Sequence, residues 1–224
     1  MFIGHFAPAF VAAALGPRAP RLATVFIAAQ LVDWAFFIFA LLGIEKVRVD
    51  PEATVMVPLD LYYYPFTHST LGTAVWAIAF GVLIYLITRN RISAALSGVV
   101  VFSHYLLDLL VHRPDLTLHG SEPYLGLGLW NYPAIAMPLE LALTLSAFAY
   151  YVYRTRGPLA PPYVLLAVLL ILQATNWFAP HPQEAGLVLY LQGLIAFGVL
   201  TALAAWVGEN RQFARSGGLA ASSA

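Results

Sequence analysis

The chain has 224 residues, of which 61% are hydrophobic and only 10% charged, with a mean hydropathy of +0.78; a soluble domain carries about 25% charged residues. Lysine plus arginine balance aspartate plus glutamate at 11 each, so no net positive field attracts nucleic acid, and no basic cluster with interleaved aromatics appears. Cysteine is absent, which excludes disulfides, thiolate metal sites and cysteine nucleophiles together and leaves any metal to histidine and carboxylate.

The apolar residues fall into blocks of about 20, the length that crosses a hydrocarbon core of about 30 Å at 1.5 Å per residue. The blocks do not alternate as the strands of a membrane barrel would. The expected fold is therefore all-α: a polytopic transmembrane helical bundle of six full spans plus a short N-terminal membrane segment. That segment, Phe2 to Leu15, lacks a positive n-region and contains His5 and Pro8, so it reads as part of the mature protein rather than a signal. The spans follow as Leu22 to Ile44, Ser69 to Thr88, Ile92 to Val111, Tyr132 to Tyr153, Leu159 to Phe178 and Leu187 to Val207. No repeat of about 20 to 50 residues is visible, and residues 1–215 read as a single domain. The tail at 216–224, SGGLAASSA, has no apolar period and is expected to be disordered.

Weaving the chain through a bilayer puts Arg18, Arg21, Arg89, Arg91, Arg154, Arg156, Arg211 and Arg215 on one face and leaves Lys46, Arg48 and Arg113 on the other. By the positive-inside rule the arginine-rich loops and the C-terminus are cytoplasmic. This topology requires the short first segment to cross, with the N-terminus and His5 outside. The opposite face carries two long loops, Glu45 to Thr67 and His112 to Asn131, which hold Glu45, Asp50, Glu52, Asp60, Asp115, His119 and Glu122. Loops longer than about 12 to 15 residues without obvious structure tend to be lids or binding segments. The run Tyr62, Tyr63, Tyr64 suits an interfacial belt equally well. Asn176 and Trp177 read as a polar cap and belt anchor, and His181 as a loop residue.

Ionisable groups inside spans cost several kcal/mol unless paired, and they default to a functional hypothesis. Asp33 lies near the middle of its span with Gln30 one turn before it. His104 and Asp108 stand at i and i+4, on one helical face, with His112 at the end of the same span. His68 opens the next span within Thr67-His68-Ser69, and Glu140 lies inside the fourth. At 1.5 Å per residue, Asp33, His104 and Asp108 sit about 16, 20 and 26 Å above the arginine-rich face, and Glu140 about 13 Å below the opposite one. His5, Asp33, His68, His104, Asp108 and Glu140 can therefore converge in the outer half of the bilayer. Such a cluster suits a divalent metal, zinc first and manganese or iron after it, since imidazole and carboxylate are borderline to hard ligands. Plainer roles stay open: Asp33 or Glu140 as a hydrogen bond between helices, His104 with Asp108 as an internal pair, His112 and His119 as interfacial residues.

Four stretches taken together resemble a known family. Gly4-His5-Phe6-Ala7-Pro8-Ala9, Ala29-Gln30-Leu31-Val32-Asp33, Tyr64-Pro65-Phe66-Thr67-His68-Ser69 and Ser103-His104-Tyr105-Leu106-Leu107-Asp108 are similar to the YdjM-like family of membrane-bound metal-dependent hydrolases. Its pattern is an N-terminal His, a Pro-Asp-x-Asp element, a Thr-His-Ser element and a His-x-x-x-Asp element, in that order. A poorly characterised bacterial branch also resembles this chain in the run His104 to Leu118 and in Gly126-Leu127-Gly128-Leu129-Trp130-Asn131. The likeness extends to about Glu140. Two departures stand out: the Pro-Asp-x-Asp element is reduced to Asp33, which puts a two-metal site in doubt, and Tyr63-Tyr64 stands where His-Arg often precedes Thr-His-Ser.

The resemblance implies a bacterial inner-membrane protein in which His5, Asp33, His68, His104 and Asp108 are metal ligands or their catalytic neighbours, with Asp33 and Asp108 in catalysis and Glu140 and His112 as additional candidates. The expected activity is metal-dependent hydrolysis, and the depth of the cluster suggests a lipid or lipid-linked phosphoester as substrate. Membrane lipids are then the natural partners, with a protein partner or second copy left open. The alternatives are a non-catalytic membrane subunit of a larger complex, a transporter or proton relay, and a haem held by His68 and His104.

Overall fold

The structure, a computed structural model, describes residues 1–180 and 182–214; the expectations for His181, Arg215 and residues 216–224 lie outside the described residues. Among the described residues, six helices are long and apolar enough to cross a membrane: α2 (Leu22–Leu41), α3 (Thr70–Thr88), α4 (Arg91–Val111), α5 (Pro133–Arg154), α6 (Ala160–Phe178) and α7 (Leu187–Asn210). The chain is an all-α integral membrane bundle, and the helix ends fall within three residues of the expected ones. Local chemistry sets those ends. Ser69 caps α3 by accepting from the Gly72 amide, and Asn90 caps α4 by accepting from the Ile92 and Ser93 amides, which satisfies first-turn donors that have no partner inside a helix. Pro133, Pro161 and Pro162 sit in first turns, where a missing amide costs nothing.

A short helix, α1 (Phe6–Ala13), follows a 3-10 turn at Ile3–His5. Together they reach only about 16 Å and do not cross. The segment is instead enclosed by α2, α4 and α5, with Ile3, Phe6, Ala9 and Phe10 almost wholly buried. The Phe10 ring meets Phe26 at 5.2 Å and Phe148 and Tyr151 at 5.7 Å. The expected exit of the N-terminus on the far face is thus corrected: His5 is 2% exposed and lies inside the bundle. An apolar segment too short to span buries its free end best by tucking it among longer helices.

The arginines still segregate. The Arg18 carbonyl accepts from the Asn90 side chain, and Gly208 approaches Leu22, so those loops share one end. There the buried Arg211 guanidinium donates to the carbonyls of Val152, Thr155, Gly157 and Pro158, a cation at the C-terminal end of α5 where the helix dipole favours it. The strands β5 (Thr155–Arg156) and β6 (Gln212–Phe213) pair beside it.

The opposite end is covered by both long loops, which fold into small hairpins that apolar periodicity did not reveal. Strands β1 (Lys46–Val49) and β2 (Leu59–Tyr63) are antiparallel with Arg48 opposite Asp60, and β3 (Leu116–Thr117) pairs with β4 (Tyr124–Leu125). Asp60 accepts from Arg48 at 2.7 Å and from Arg113 of the other loop, while the Met56 amide donates to the Trp130 carbonyl at 3.1 Å. The two loops therefore form one lid rather than two independent belts.

Candidate metal centre

Beneath that lid the bundle gathers the residues that a hydrocarbon environment least tolerates. His104 and Asp108 project from one face of α4, Asp33 from the middle of α2, His68 from the turn before α3, and His5 from the turn before α1. Asp108 is the hub: Oδ1 lies 3.0 Å from His5 Nε2 and 2.8 Å from the Met1 main-chain nitrogen, and Oδ2 lies 3.0 Å from His104 Nε2 and 3.8 Å from His68 Nε2. Asp33 Oδ1 lies 3.2 Å from His68 Nε2 and 3.6 Å from His104 Nε2. His5, His68, His104 and Asp108 are all at most 3% exposed. Two overlapping donor sets result, His5 with His104 and Asp108, and Asp33 with His68 and His104, each compact enough to hold a metal ion.

The separations fit direct His–carboxylate pairing, and they fit a shared ion as well. Bonds of 2.0–2.1 Å in a tetrahedron place neighbouring donors about 3.3 Å apart, within the range just given. His104 Nε2, although 3.0 Å from Asp108 Oδ2, makes no hydrogen bond among the described residues. With the ring neutral, that nitrogen would leave a lone pair free for an ion shared with Asp108.

The far sides of the rings agree. His104 Nδ1 is 2.8 Å from the Ala29 carbonyl, which only accepts, so Nδ1 carries the proton and Nε2 the lone pair. His112 Nδ1 lies 3.0 Å from Asp115 Oδ1, which fixes the same tautomer. His68 Nδ1 is 2.8 Å from Thr67 Oγ1, whose hydroxyl donates onward to Glu45 Oε2 at 2.6 Å. Glu45 Oε1 also accepts the Phe66 and Thr67 amides. Burial pushes the Glu45 carboxyl up, against the opposing pull of Thr67 and His68. Histidines that bind metals almost always donate the other ring nitrogen in this way. Replacing Thr67 with the nearly isosteric valine is accordingly expected to weaken metal binding by about 10- to 100-fold, measured by competition with a chelator; unchanged affinity would remove Thr67 from the orienting set.

Not every expected residue joins the cluster. Glu140 turns its carboxylate to the main chain of the N-terminal turn: Oε1 accepts from the Phe2 amide at 2.6 Å and the Gly4 amide at 3.1 Å, and Oε2 from Gln173 Nε2 at 3.3 Å. Gln173 Oε1 in turn accepts the Ile3 amide, and Gln30 donates to the Phe2 carbonyl. His112 comes closer than an interfacial residue would. It is 3% exposed, packs on Trp130 with ring centres 4.4 Å apart, and brings Nε2 to 3.8 Å from Asp108 Oδ1. His119 stays in an exposed loop beside Ser121. Glu45 and Gln173 carry no signal in the sequence that marks them as supports of the centre, because their contacts join segments far apart in the chain; Thr67 and Asp115 stand one and three residues from the histidines they meet, within reach of local spacing.

Tyr64 closes the site from above, its hydroxyl donating to Asp115 Oδ1 at 2.8 Å. Burial, and then the Asp115 carboxylate, hold its phenol well above the usual range, so it acts as a fixed donor. A cavity of about 700 Å³ opens from the cluster, lined there by His5, Asp33, His68, Asp108 and His112 and elsewhere by mostly apolar side chains with Glu140, Thr175, Asn176 and Gln192 among them.

Fold and site together define a polytopic helical membrane protein with a buried His/Asp centre able to hold a metal ion. Comparison with family models, curated proteins and solved structures finds no match to this chain.

Proposed function

We propose that the protein is a membrane-embedded metal-dependent hydrolase that acts on a lipid or lipid-linked phosphoester. The observation that carries this reading is the convergence of imidazole Nε2 atoms from His5, His68 and His104 on the carboxylates of Asp33 and Asp108, with the Nδ1 atoms of His68 and His104 occupied elsewhere. The family resemblance points the same way. Zinc is the first candidate, because it accepts mixed imidazole and carboxylate donors at these spacings.

His5, His104 and Asp108 would hold a divalent cation, with His68 and Asp33 beside it, and the cation would supply Lewis acidity and a water that ionises near neutral pH. Asp33 differs from Asp108 in exposure: its side chain is 22% exposed against 3%, and it faces the cavity. Asp33 is therefore the general base, taking the proton of the attacking water, while Asp108 bridges the ligands from below. Tyr64 and Trp130 exclude bulk water from above. His104 lies about 20 Å along its span from the arginine-rich end. With those arginines cytoplasmic under the positive-inside rule, the centre sits in the outer leaflet of the bacterial inner membrane, within reach of a substrate that keeps its tails in lipid.

The test is elemental analysis of detergent-purified protein, followed by turnover of phospholipid and lipid-linked phosphoester classes with that metal present. About one zinc, manganese or iron per chain and release of a headgroup in at least one class is the expected result. Protein that contains no metal after chelator-free purification would point instead to a non-catalytic membrane subunit whose polar cluster joins helices.

A further inference from the structure

The cavity does not end at the polar cluster. It continues as a crevice between α6 and α7, walled by Val168 and Leu172 on one helix and by Ile195, Ala196 and Val199 on the other. From Leu189 to Val199 it follows α7 for about 15 Å, half the thickness of a hydrocarbon core of about 30 Å and so one leaflet. Ile195 is 64% exposed and Val199 45%, which leaves the crevice open sideways to the bilayer. Its inner wall is rigid: α7 has Gly193 where any Cβ would collide with the Phe37 ring, and Phe37 and Phe197 pack with centres 5.9 Å apart.

A different depression, about 810 Å³ on α3 and α4, is mostly apolar, with Tyr85, Arg91 and Ser103 in its lining, and meets no His/Asp cluster. Of the two, the α6/α7 crevice joins a largely apolar channel about one leaflet long, with Thr175, Asn176 and Gln192 in its lining, to the His/Asp cluster. A volume of about 700 Å³ lies within the range of about 300–1,000 Å³ typical of ligand pockets.

We propose that the crevice between α6 and α7 holds one hydrocarbon chain of the substrate, inserted from the surrounding lipid, with the scissile phosphoester at the His/Asp centre. This rests on the hydrolase reading and adds where the chain lies and how the enzyme selects for it. In the reaction, water adds across the P–O bond: its hydroxyl goes to phosphorus, and the displaced alcohol oxygen takes a proton. The chain is unchanged and serves as the handle that positions the ester. Ala196 narrows the channel least among the side chains that line it from α7, since Gly193 beside it is packed against the Phe37 ring.

The experiment uses the full chain in phosphatidylglycerol nanodiscs doped with phosphatidylglycerol bearing a diazirine on one acyl chain, and maps photolabelled residues by mass spectrometry. Labelling is expected at Leu172, Ile195 and Val199, and to fall at least fivefold in Ala196→Phe, with Ile78 and Val82 on α3 labelled equally in both proteins. Val199→Phe is a second variant with the same expectation, and unchanged metal content in each shows that the centre remains assembled. Among substrates the wild type cleaves, Ala196→Phe is expected to lower kcat/KM about tenfold for long-chain esters and leave the dihexanoyl counterpart unaffected. Crevice labelling no stronger than that of Ile78 and Val82, or unchanged in both variants, overturns the chain site. Specific labelling with no turnover of any ester overturns the hydrolase reading and leaves the chain site standing.

Discussion

Asp108→Asn is expected to remove the metal altogether: content falls from about one ion per chain to background, and hydrolysis is lost with it. The amide keeps the shape of the carboxylate but not its charge, and one of its two ends becomes a donor. Asp108 Oδ1 and Oδ2 together approach the Nε2 atoms of His5, His68, His104 and His112, so whichever end carries the NH2 group faces lone pairs that are meant for a cation. Metal bound to the folded protein adds RT ln(1 + [L]/Kd) to stability, about 2.7 kcal/mol at a free concentration 100 times Kd. A chelator should therefore lower the Tm of the wild type and leave that of Asp108→Asn unchanged. Equal chelator sensitivity in both proteins would place the metal elsewhere and sink the assignment.

The spans and much of the grouping of His and Asp were legible because both follow from one-dimensional rules. Hydropathy sets span length, and the i, i+4 spacing of His104 and Asp108 puts them on one face whatever surrounds the helix. Depth along the spans brought Asp33 and His104 to similar levels, with His68 entering from the outer end, and the structure finds the three together. Depth carries no azimuth, however. Glu140 has a suitable level but points at the N-terminal turn, a direction fixed by how α5 packs on α1. His5 was expected to start from the outer surface and reach inward to the cluster, and its full burial depends on the short segment being enclosed by its neighbours, a tertiary outcome. The Glu45–Thr67–His68 chain of hydrogen bonds joins residues 22 positions apart through a hairpin whose strands are too short for alternation to reveal. The family resemblance named the candidate ligands but was silent on what holds them, and the support comes from loops and from Gln173.

The amides of Phe2, Ile3 and Gly4 are first-turn donors with no partner inside their own helix, and Glu140 and Gln173 receive them from two different spans. This pair is what holds the turn that presents His5 to Asp108. A reciprocal exchange tests it. In Glu140→Gln the new side-chain NH2 group meets the NH2 of Gln173, leaving a buried donor without an acceptor at a cost of about 1–3 kcal/mol. In Gln173→Glu two carboxylates meet where an amide donated to a carboxylate. The double variant Glu140→Gln/Gln173→Glu restores the match. The side-chain amide introduced on α5 accepts the Phe2 and Gly4 amides through its oxygen and donates through its nitrogen to the carboxylate introduced on α6, which retains the Ile3 amide. Each single variant is expected to lower both Tm and metal affinity, and the double variant to recover most of both, with a coupling energy of about 0.5–3 kcal/mol, the range for residues in one network. Chelator competition and thermal melts on the four proteins give the cycle. Additive losses in the double variant would mean that the two side chains do not act as a unit, and Glu140 would then be free to be considered as a ligand.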